Sequence, residues 1–132
     1  MNTTLLDTHA LVWWVDGSKK LARGQSRAIE RAASSGALFL SEISFWEIAM
    51  LVEGGKLRFR EPLDEWLERA AAAPAVQRIG ITPVLAREVV SLTTTRGWDP
   101  ADRIIVATAR VLGASLVTSD SRIISSKLVP TI

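Results

Sequence analysis

Four acidic residues have the types and positions to form a metal-binding cluster: Asp7, Glu47, Asp102 and Asp120. Carboxylates a few ångströms apart repel each other by about 3–4 kcal/mol per pair at an effective dielectric near 20, so such a group needs a counter-charge. Hard divalent cations prefer oxygen ligands, and a site made only of carboxylates favours Mg²⁺ or Mn²⁺. If the four side chains meet in the fold, they predict a magnesium or manganese site.

The rest of the composition narrows the reaction that such a site would catalyse. The chain has no cysteine, no tyrosine and one histidine, which excludes thiol nucleophiles, thiolate zinc sites and RNA cleavage by a pair of histidines. It contains no Gly-x-Ser-x-Gly elbow, no Walker loop and no Gly-x-Gly-x-x-Gly loop. The mechanism that remains is attack by a metal-activated water. The sequence therefore predicts hydrolysis of phosphodiester bonds.

The overall composition indicates one globular domain over residues 1–132. Of these residues, 48% are hydrophobic and 23% are charged, as is typical of a soluble domain that folds without disulfides. The longest uncharged run, residues 32–41, has about half of the roughly twenty residues that cross a bilayer. The first four residues lack the basic start of a secretory signal. We therefore expect a cytoplasmic protein without a membrane partner.

Short apolar runs alternate with longer segments of helical period, which predicts an α/β fold with a mainly parallel sheet. Strands are expected at residues 3–6, 37–40, 76–79 and 115–118, with a short last strand near 128–129. Helices are expected from about residue 11 to 15 and at 21–33, 44–53, 62–72, 82–94 and 99–112. Gly54-Gly55 and Gly113 mark two of the helix ends.

This arrangement places the four acids at one edge of the sheet. Asp7 ends the first strand, and Asp120 closely follows the strand at residues 115–118. The carboxyl ends of parallel strands share an edge, where ligands bind. Glu47 and Asp102 are expected in the first turns of helices that begin at that edge. The four carboxylates are therefore predicted to converge from four separate segments.

Helix capping offers an alternative interpretation of each acid. Ser44 and Glu47 have the spacing of a capping box, while Asp99 and Asp102 fit the N-cap and third position of the next helix. Asp7 could cap the helix after it. On this interpretation the chain is a non-catalytic binding module, or a receiver-type module in which Lys127 supplies the late lysine. Saturable stabilisation by Mn²⁺ would separate a metal site from caps alone.

Four sequence stretches, taken in order, resemble those of the PIN-domain ribonucleases, and specifically the VapC toxins. The stretches are Leu5-Leu6-Asp7-Thr8-His9-Ala10-Leu11, Ser44-Phe45-Trp46-Glu47-Ile48-Ala49, Asp99-Pro100-Ala101-Asp102-Arg103 and Leu116-Val117-Thr118-Ser119-Asp120. The resemblance spans the whole chain. It implies a three-layer α/β/α sandwich, an Mg²⁺- or Mn²⁺-dependent endoribonuclease, a type II toxin–antitoxin pair with a cognate VapB-like antitoxin, and a homodimer.

The resemblance also implies roles for individual residues. Asp7 and Asp102 match the acids that hold the metal directly, and Glu47 and Asp120 complete the cluster directly or through water. Three further residues are expected in an outer shell: Thr8, Asp99 and Ser119. Two positions depart from the family pattern, because Ala101 stands where a bulky aromatic is frequent and Ser119 where a basic residue is frequent.

Residues for the macromolecular partners are predicted from charge and apolar character. The net charge of +2 is too small to attract a polyanion over the whole surface. Local arginines are therefore the candidates for RNA binding: Arg23 and Arg27 on one helix face, and Arg103 beside Asp102. Three apolar residues are predicted to contact the antitoxin: Trp14, Leu51 and Trp66. His9 is expected to pack or cap and not to act as a base.

Overall fold

The computed structural model describes residues 3–132. Within these residues four parallel strands form a sheet in the order β3-β2-β1-β4. The strands are β1 (Thr4–Leu6), β2 (Leu38–Ser41), β3 (Gln77–Ile79) and β4 (Ser115–Val117). β1 pairs with a neighbour on each side, Leu6 opposite Leu40 on β2 and Val117 on β4. The site-bearing end of β1 therefore lies at the middle of the sheet.

Helices cover both faces of the sheet. The helices are α1 (Thr8–Val15), α2 (Arg23–Ser34), α3 (Ile43–Glu53), α4 (Leu63–Ala71), α5 (Pro83–Ser91), α6 (Pro100–Leu112) and α7 (Ser121–Ser126), with a 3₁₀ turn at Thr93–Thr95. Successive strand side chains point to opposite faces. Leu6 accordingly packs in a core with α1, α2 and α4, whereas Leu5 packs in a second core with α5, α6 and α7. The predicted three-layer α/β/α sandwich is confirmed.

The structure differs in several places from the predicted elements. The helix expected to reach Thr94 ends at Ser91, and a 3₁₀ turn follows at Thr93–Thr95. α7 was not predicted at all. The last strand expected near residues 128–129 is wrong: Val129 packs in the second core, and the chain pairs with β4 through a single parallel bridge between Leu116 and Thr131.

The glycine at the end of α6 was predicted correctly. Gly113 has a φ of 63°, in the left-handed region that favours glycine, and it caps the helix before β4 begins. This turn returns the chain to the sheet, so that β4 lies next to β1. In residues 3–132, we find no helix with the length and apolar character that a membrane crossing requires.

Candidate active site

Asp7 links the central strand to the first helix. It lies between β1 and α1, and its Oδ1 accepts a hydrogen bond of 2.8 Å from the backbone amide of Ala10. The predicted cap is therefore present. Asp7 is only 8% exposed, and a carboxylate is costly to bury for capping alone. The same carboxylate also faces a cavity at the carboxyl end of the strands.

Asp120 is placed in the same way by β4 and α7. Its Oδ1 accepts hydrogen bonds from the backbone amides of Arg122 at 2.9 Å and Ile123 at 3.2 Å, so it caps α7. The sequence offered no reason for this cap because α7 was missed. Thr118 lies between the two acids: its Oγ1 accepts from the Asp120 amide at 3.0 Å, and its hydroxyl lowers the pKa of Asp7.

The capping box predicted for Ser44 and Glu47 is wrong. α3 begins earlier, at Ile43, with Glu42 at the N-cap position. Ser44 therefore lies inside the helix, where it is fully buried and its Oγ lies 3.0 Å from Thr8 Oγ1. Glu47 falls in the second helical turn and not the first, where it has no capping role. Its carboxylate lines the cavity together with Thr8, whose hydroxyl lowers the pKa of Glu47.

Asp99 and Asp102 occupy the predicted positions at the start of α6. Asp99 caps the helix, with its Oδ1 accepting from the Ala101 amide at 2.9 Å, and Pro100 is the first helical residue. Asp102 lies in the first turn, as expected. Its Oδ2 lies 3.3 Å from Nη2 of Arg122, a partner that the sequence analysis missed.

The four predicted acids line one cavity of about 300 Å³. Its complete lining is Asp7, Thr8, His9, Trp13, Glu47, Asp102, Ser119 and Asp120. The convergence predicted from strand topology is therefore present in the structure. Across residues 3–132, however, no three acidic or histidine side chains are already arranged as a metal cage. The side chains around this cavity must turn towards an ion to hold it.

The cavity carries an excess of negative charge. Burial, followed by repulsion from Glu47 and Asp120, raises the pKa of Asp102 from its ordinary value of 3.8 to about 6. Burial raises the pKa of Asp7 as well, against hydrogen bonds from Thr118 and the Ala10 amide. The pKa of Glu47 is raised for the same reason, with Thr8 opposing the shift. A cation in the cavity would relieve this cost.

The donor set fits a hard divalent ion. All four carboxylates reach the cavity from separate segments, and an all-oxygen set of this kind suits Mg²⁺ or Mn²⁺ better than zinc. The raised pKa values of three of the four acids indicate that the charge of the cluster is not balanced by the protein alone.

The metal-free protein should lose stability as pH rises towards neutrality. The Asp102 pKa of about 6 exceeds its ordinary value, so the folded state binds this proton more tightly than the unfolded chain does. The resulting stability is complete below about pH 4 and is lost as pH rises through about 6, at a cost on the order of 1–3 kcal/mol. Asp102→Asn should therefore raise the free energy of unfolding near pH 7 and flatten its pH dependence.

Urea unfolding in EDTA at several pH values between about 4 and 7 measures this effect. Some pH dependence should persist in Asp102→Asn, because Asp7 and Glu47 also have raised pKa values. Equal unfolding free energies for the variant and the wild type across this range would contradict the assigned shift.

The remaining predicted polar residues divide into two groups. Thr8 and Ser119 line the cavity. Asp99 does not line it, but it caps α6, the helix that carries Asp102. His9 also lines the cavity, with its ring centroid 5.9 Å from that of Trp13. Thr118 and Arg122 were missed. The signal for Thr118 was a polar residue that directly follows the apolar run of β4.

The three arginines predicted for RNA binding do not line the cavity. Arg23 and Arg27 are exposed on α2. Arg103 is turned away from the acids, because its Nε donates to Thr95 Oγ1 at 3.1 Å and its Nη2 donates to the carbonyl of Val89 at 3.4 Å. The expected pairing of Arg103 with an acid is therefore absent from residues 3–132, and its binding of RNA phosphate stays a prediction.

The residues predicted to contact an antitoxin differ in exposure. Trp14 and Leu51 are partly exposed, on α1 and α3. Trp66 is fully buried in the first core, and its Nε1 donates to Asp16 Oδ1 at 2.8 Å. A direct contact between Trp66 and a partner is therefore wrong for this fold.

Comparison of the sequence with known proteins finds a matching family model and a similar relative. A family model for the PIN domain matches residues 4–126. Ribonuclease VapC22 of Mycobacterium tuberculosis is 39% identical over 127 residues, which cover 96% of this chain and 94% of that protein.

Two solved structures share the fold. One is VapBC2 from Rickettsia felis bound to a DNA fragment from its promoter, with a TM-score of 0.69 at 17% identity over 98% of this chain and 97% of that one. The other is DNA-bound VapBC from Salmonella typhimurium, with a TM-score of 0.69 at 15% identity over 100% and 98%. Given the match along the sequence and the identity to a full-length relative, this chain belongs to the PIN-domain family.

Proposed function

We propose that this chain is the toxin of a type II toxin–antitoxin pair and a divalent-metal-dependent endoribonuclease. The main support is a cavity at the carboxyl edge of the sheet, which four carboxylates line. Family membership supports the same activity, because PIN-domain ribonucleases depend on divalent metal. In this proposal the whole chain, residues 1–132, acts as one nuclease domain.

Asp7 and Asp102 would hold the ion directly, and Glu47 and Asp120 would complete the site directly or through water. When bound, Mg²⁺ or Mn²⁺ lowers the pKa of an attacking water and stabilises the phosphate oxygens during in-line displacement. Both ions suit the oxygen donors of this cavity.

Hydroxyl groups favour the charged form of two of the carboxylates. Thr8 lowers the pKa of Glu47, and Thr118, which accepts from the Asp120 amide, lowers the pKa of Asp7. Ser119 is also at the cavity, where it can orient a water. Hydroxyl groups of this kind can orient the carboxylates once these turn towards an ion.

Metal-stripped protein incubated with a labelled RNA should cut it only after Mg²⁺ or Mn²⁺ is added, and EDTA should stop the reaction. The same cations should raise the melting temperature in a saturable way, since an ion that binds only the folded state stabilises it. Cleavage that persists in EDTA would refute the metal-dependent mechanism. Comparing the two ions at equal concentration determines which supports the faster rate.

The receiver-type alternative does not fit the topology. Receiver domains have the strand order 2-1-3-4-5, whereas this sheet has the order 3-2-1-4. Lys127, the lysine that this alternative requires, is the exposed residue that ends α7 and does not line the cavity.

A VapB-like antitoxin is the proposed protein partner, and RNA is the proposed substrate. The antitoxin would cover apolar residues beside the cavity, with Trp14 and Leu51 retained as contacts. α3 adds Trp46 and Met50, which are 48% and 40% exposed and lie one helical turn apart on the helix that carries Glu47. A homodimer within the toxin–antitoxin complex completes the proposed assembly.

A further inference from the structure

An RNA phosphate that approaches this cavity meets four carboxylates and needs a positive charge beside them. Arg122 is placed to supply it: its Nη2 lies 3.3 Å from Asp102 Oδ2, at the edge of the cavity. Among the ion pairs of residues 3–132, this is the one that joins an arginine or lysine to an acid of the cavity lining. Arg122 also lies two residues after Asp120, whose side chain accepts from its backbone amide.

An aromatic ring holds the guanidinium in place. The Arg122 Cζ lies 4.7 Å from the centroid of Trp98, within the range of a cation–π contact. Trp98 is itself packed against the second core, so the ring is a fixed platform. Stacking on the face of a guanidinium leaves its N–H edges free for other partners.

The hydrogen bonds of Arg122 are only partly used. In the part of the chain that the structure describes, its side chain makes one hydrogen bond, through Nη2 to Asp102. The side chain is 48% exposed, so the remaining donors face solvent. Arg103 provides a contrast, since its donors are taken by Thr95 and by the carbonyl of Val89.

We propose that Arg122 is a phosphate-binding residue for the RNA substrate. In the metal-free protein Arg122 pairs with Asp102. When a divalent ion takes the Asp102 carboxylate, the guanidinium stays on Trp98 and its fork binds phosphate oxygens of the RNA, a geometry that arginine favours. This inference rests on the proposed nuclease function, and it identifies Arg122 as the positively charged side chain that binds the RNA substrate.

Arg122→Gln tests the proposal, with Arg110→Gln as the matched control. Arg110 is also a half-exposed arginine, and its Nε lies 2.8 Å from Glu88 Oε2, away from the cavity. Binding of a labelled single-stranded RNA is measured in Ca²⁺ at several salt concentrations, with a gel to confirm that the RNA stays intact.

Arg122→Gln should weaken RNA binding roughly tenfold, because hydrogen bonds to charged groups are the stronger ones. It should also reduce the slope of log K against log salt by about 0.7, the value for one phosphate contact on a single strand. Arg110→Gln should change neither quantity. An affinity and a salt slope in Arg122→Gln equal to those of Arg110→Gln would overturn the proposal.

Titration with Mn²⁺ alone gives a second readout. Because Arg122 competes for Asp102, Arg122→Gln should bind Mn²⁺ at least as tightly as the wild type, measured by the rise in melting temperature. Weaker Mn²⁺ binding would show that Arg122 only supports the metal site, and would reject a role on substrate. Failure of the wild type to bind or cleave RNA would refute the nuclease function itself, whereas wild-type cleavage with an unaffected Arg122→Gln would refute this inference alone.

Discussion

Asp7→Asn is expected to reduce metal-dependent RNA cleavage on the order of 10³-fold or more while leaving the protein folded. The substitution removes the carboxylate at the end of the central strand, where it lines the cavity with Glu47, Asp102 and Asp120. A bound metal supplies several kcal/mol of transition-state stabilisation, and about 4 kcal/mol corresponds to a thousandfold change in rate. This is the largest effect on activity that we expect from a single change.

The asparagine keeps the structural role of residue 7. Its side-chain oxygen can still accept from the Ala10 amide, and asparagine caps helices as well as aspartate does. Burial already raises the pKa of Asp7, so replacing it with a neutral side chain should not destabilise the metal-free protein. The variant therefore separates capping from catalysis, because a residue that only caps predicts full activity in Asp7→Asn.

Asp64→Asn is the matched control. Asp64 is an exposed acid in the first turn of α4 and does not line the cavity. Cleavage rates in Mg²⁺ and Mn²⁺, and the rise in melting temperature that Mn²⁺ causes, should fall in Asp7→Asn and stay unchanged in Asp64→Asn. Wild-type rates in Asp7→Asn would reject the assigned site.

The convergence of the acids could be predicted because it depends on topology more than on detail. Asp7 and Asp120 follow strands whose carboxyl ends must lie at one edge of a parallel sheet. Asp102 follows from the Asp99-Pro100 start of α6, a strong local signal that the structure confirms. None of these inferences required knowledge of side-chain packing.

The sequence-based predictions are wrong where tertiary contacts override local sequence patterns. Ser44 and Glu47 match a capping box, yet the hydroxyl of Ser44 is buried against Thr8, a residue distant in sequence. α7 has six residues, two of them isoleucine and three serine, and this composition has low helix propensity. It forms because Asp120 caps it and Ile123 packs in the second core. Because α7 was not predicted, the position of Arg122, which lies on this helix beside Asp102, was not predicted either.

The exposure of individual tryptophans could not be predicted either. The sequence has five tryptophans, and helical periodicity alone does not show which of them are buried in the core. Trp46 is 48% exposed although it lies beside a site residue, whereas Trp66 is fully buried. Which tryptophan is buried depends on tertiary packing around α4. Phe59, in the loop before α4, stacks on Trp66, and Asp16, at the end of α1, accepts its hydrogen bond.

Trp66→Ala should therefore destabilise the fold by about 3–5 kcal/mol, a large part of the 5–15 kcal/mol that holds a domain together. The indole is stacked on Phe59, with ring centroids 4.4 Å apart and planes within 7°, and its Nε1 donates to Asp16. Removing it leaves a cavity in the first core and takes away a partner of Asp16, which also pairs with Arg69 at 3.3 Å.

Urea unfolding measures the loss, with Trp66→Phe and Trp46→Ala as controls. Trp66→Phe preserves most of the apolar volume but not the hydrogen bond to Asp16, so it should cost less than Trp66→Ala. Trp46→Ala removes an exposed ring and should cost within about 1 kcal/mol. Weakened antitoxin binding in Trp66→Ala would then follow from the damaged core. A wild-type urea midpoint combined with lost antitoxin binding would instead contradict the core assignment and favour a direct contact, because an indole that contributes to the packed interior cannot be removed without shifting the unfolding transition.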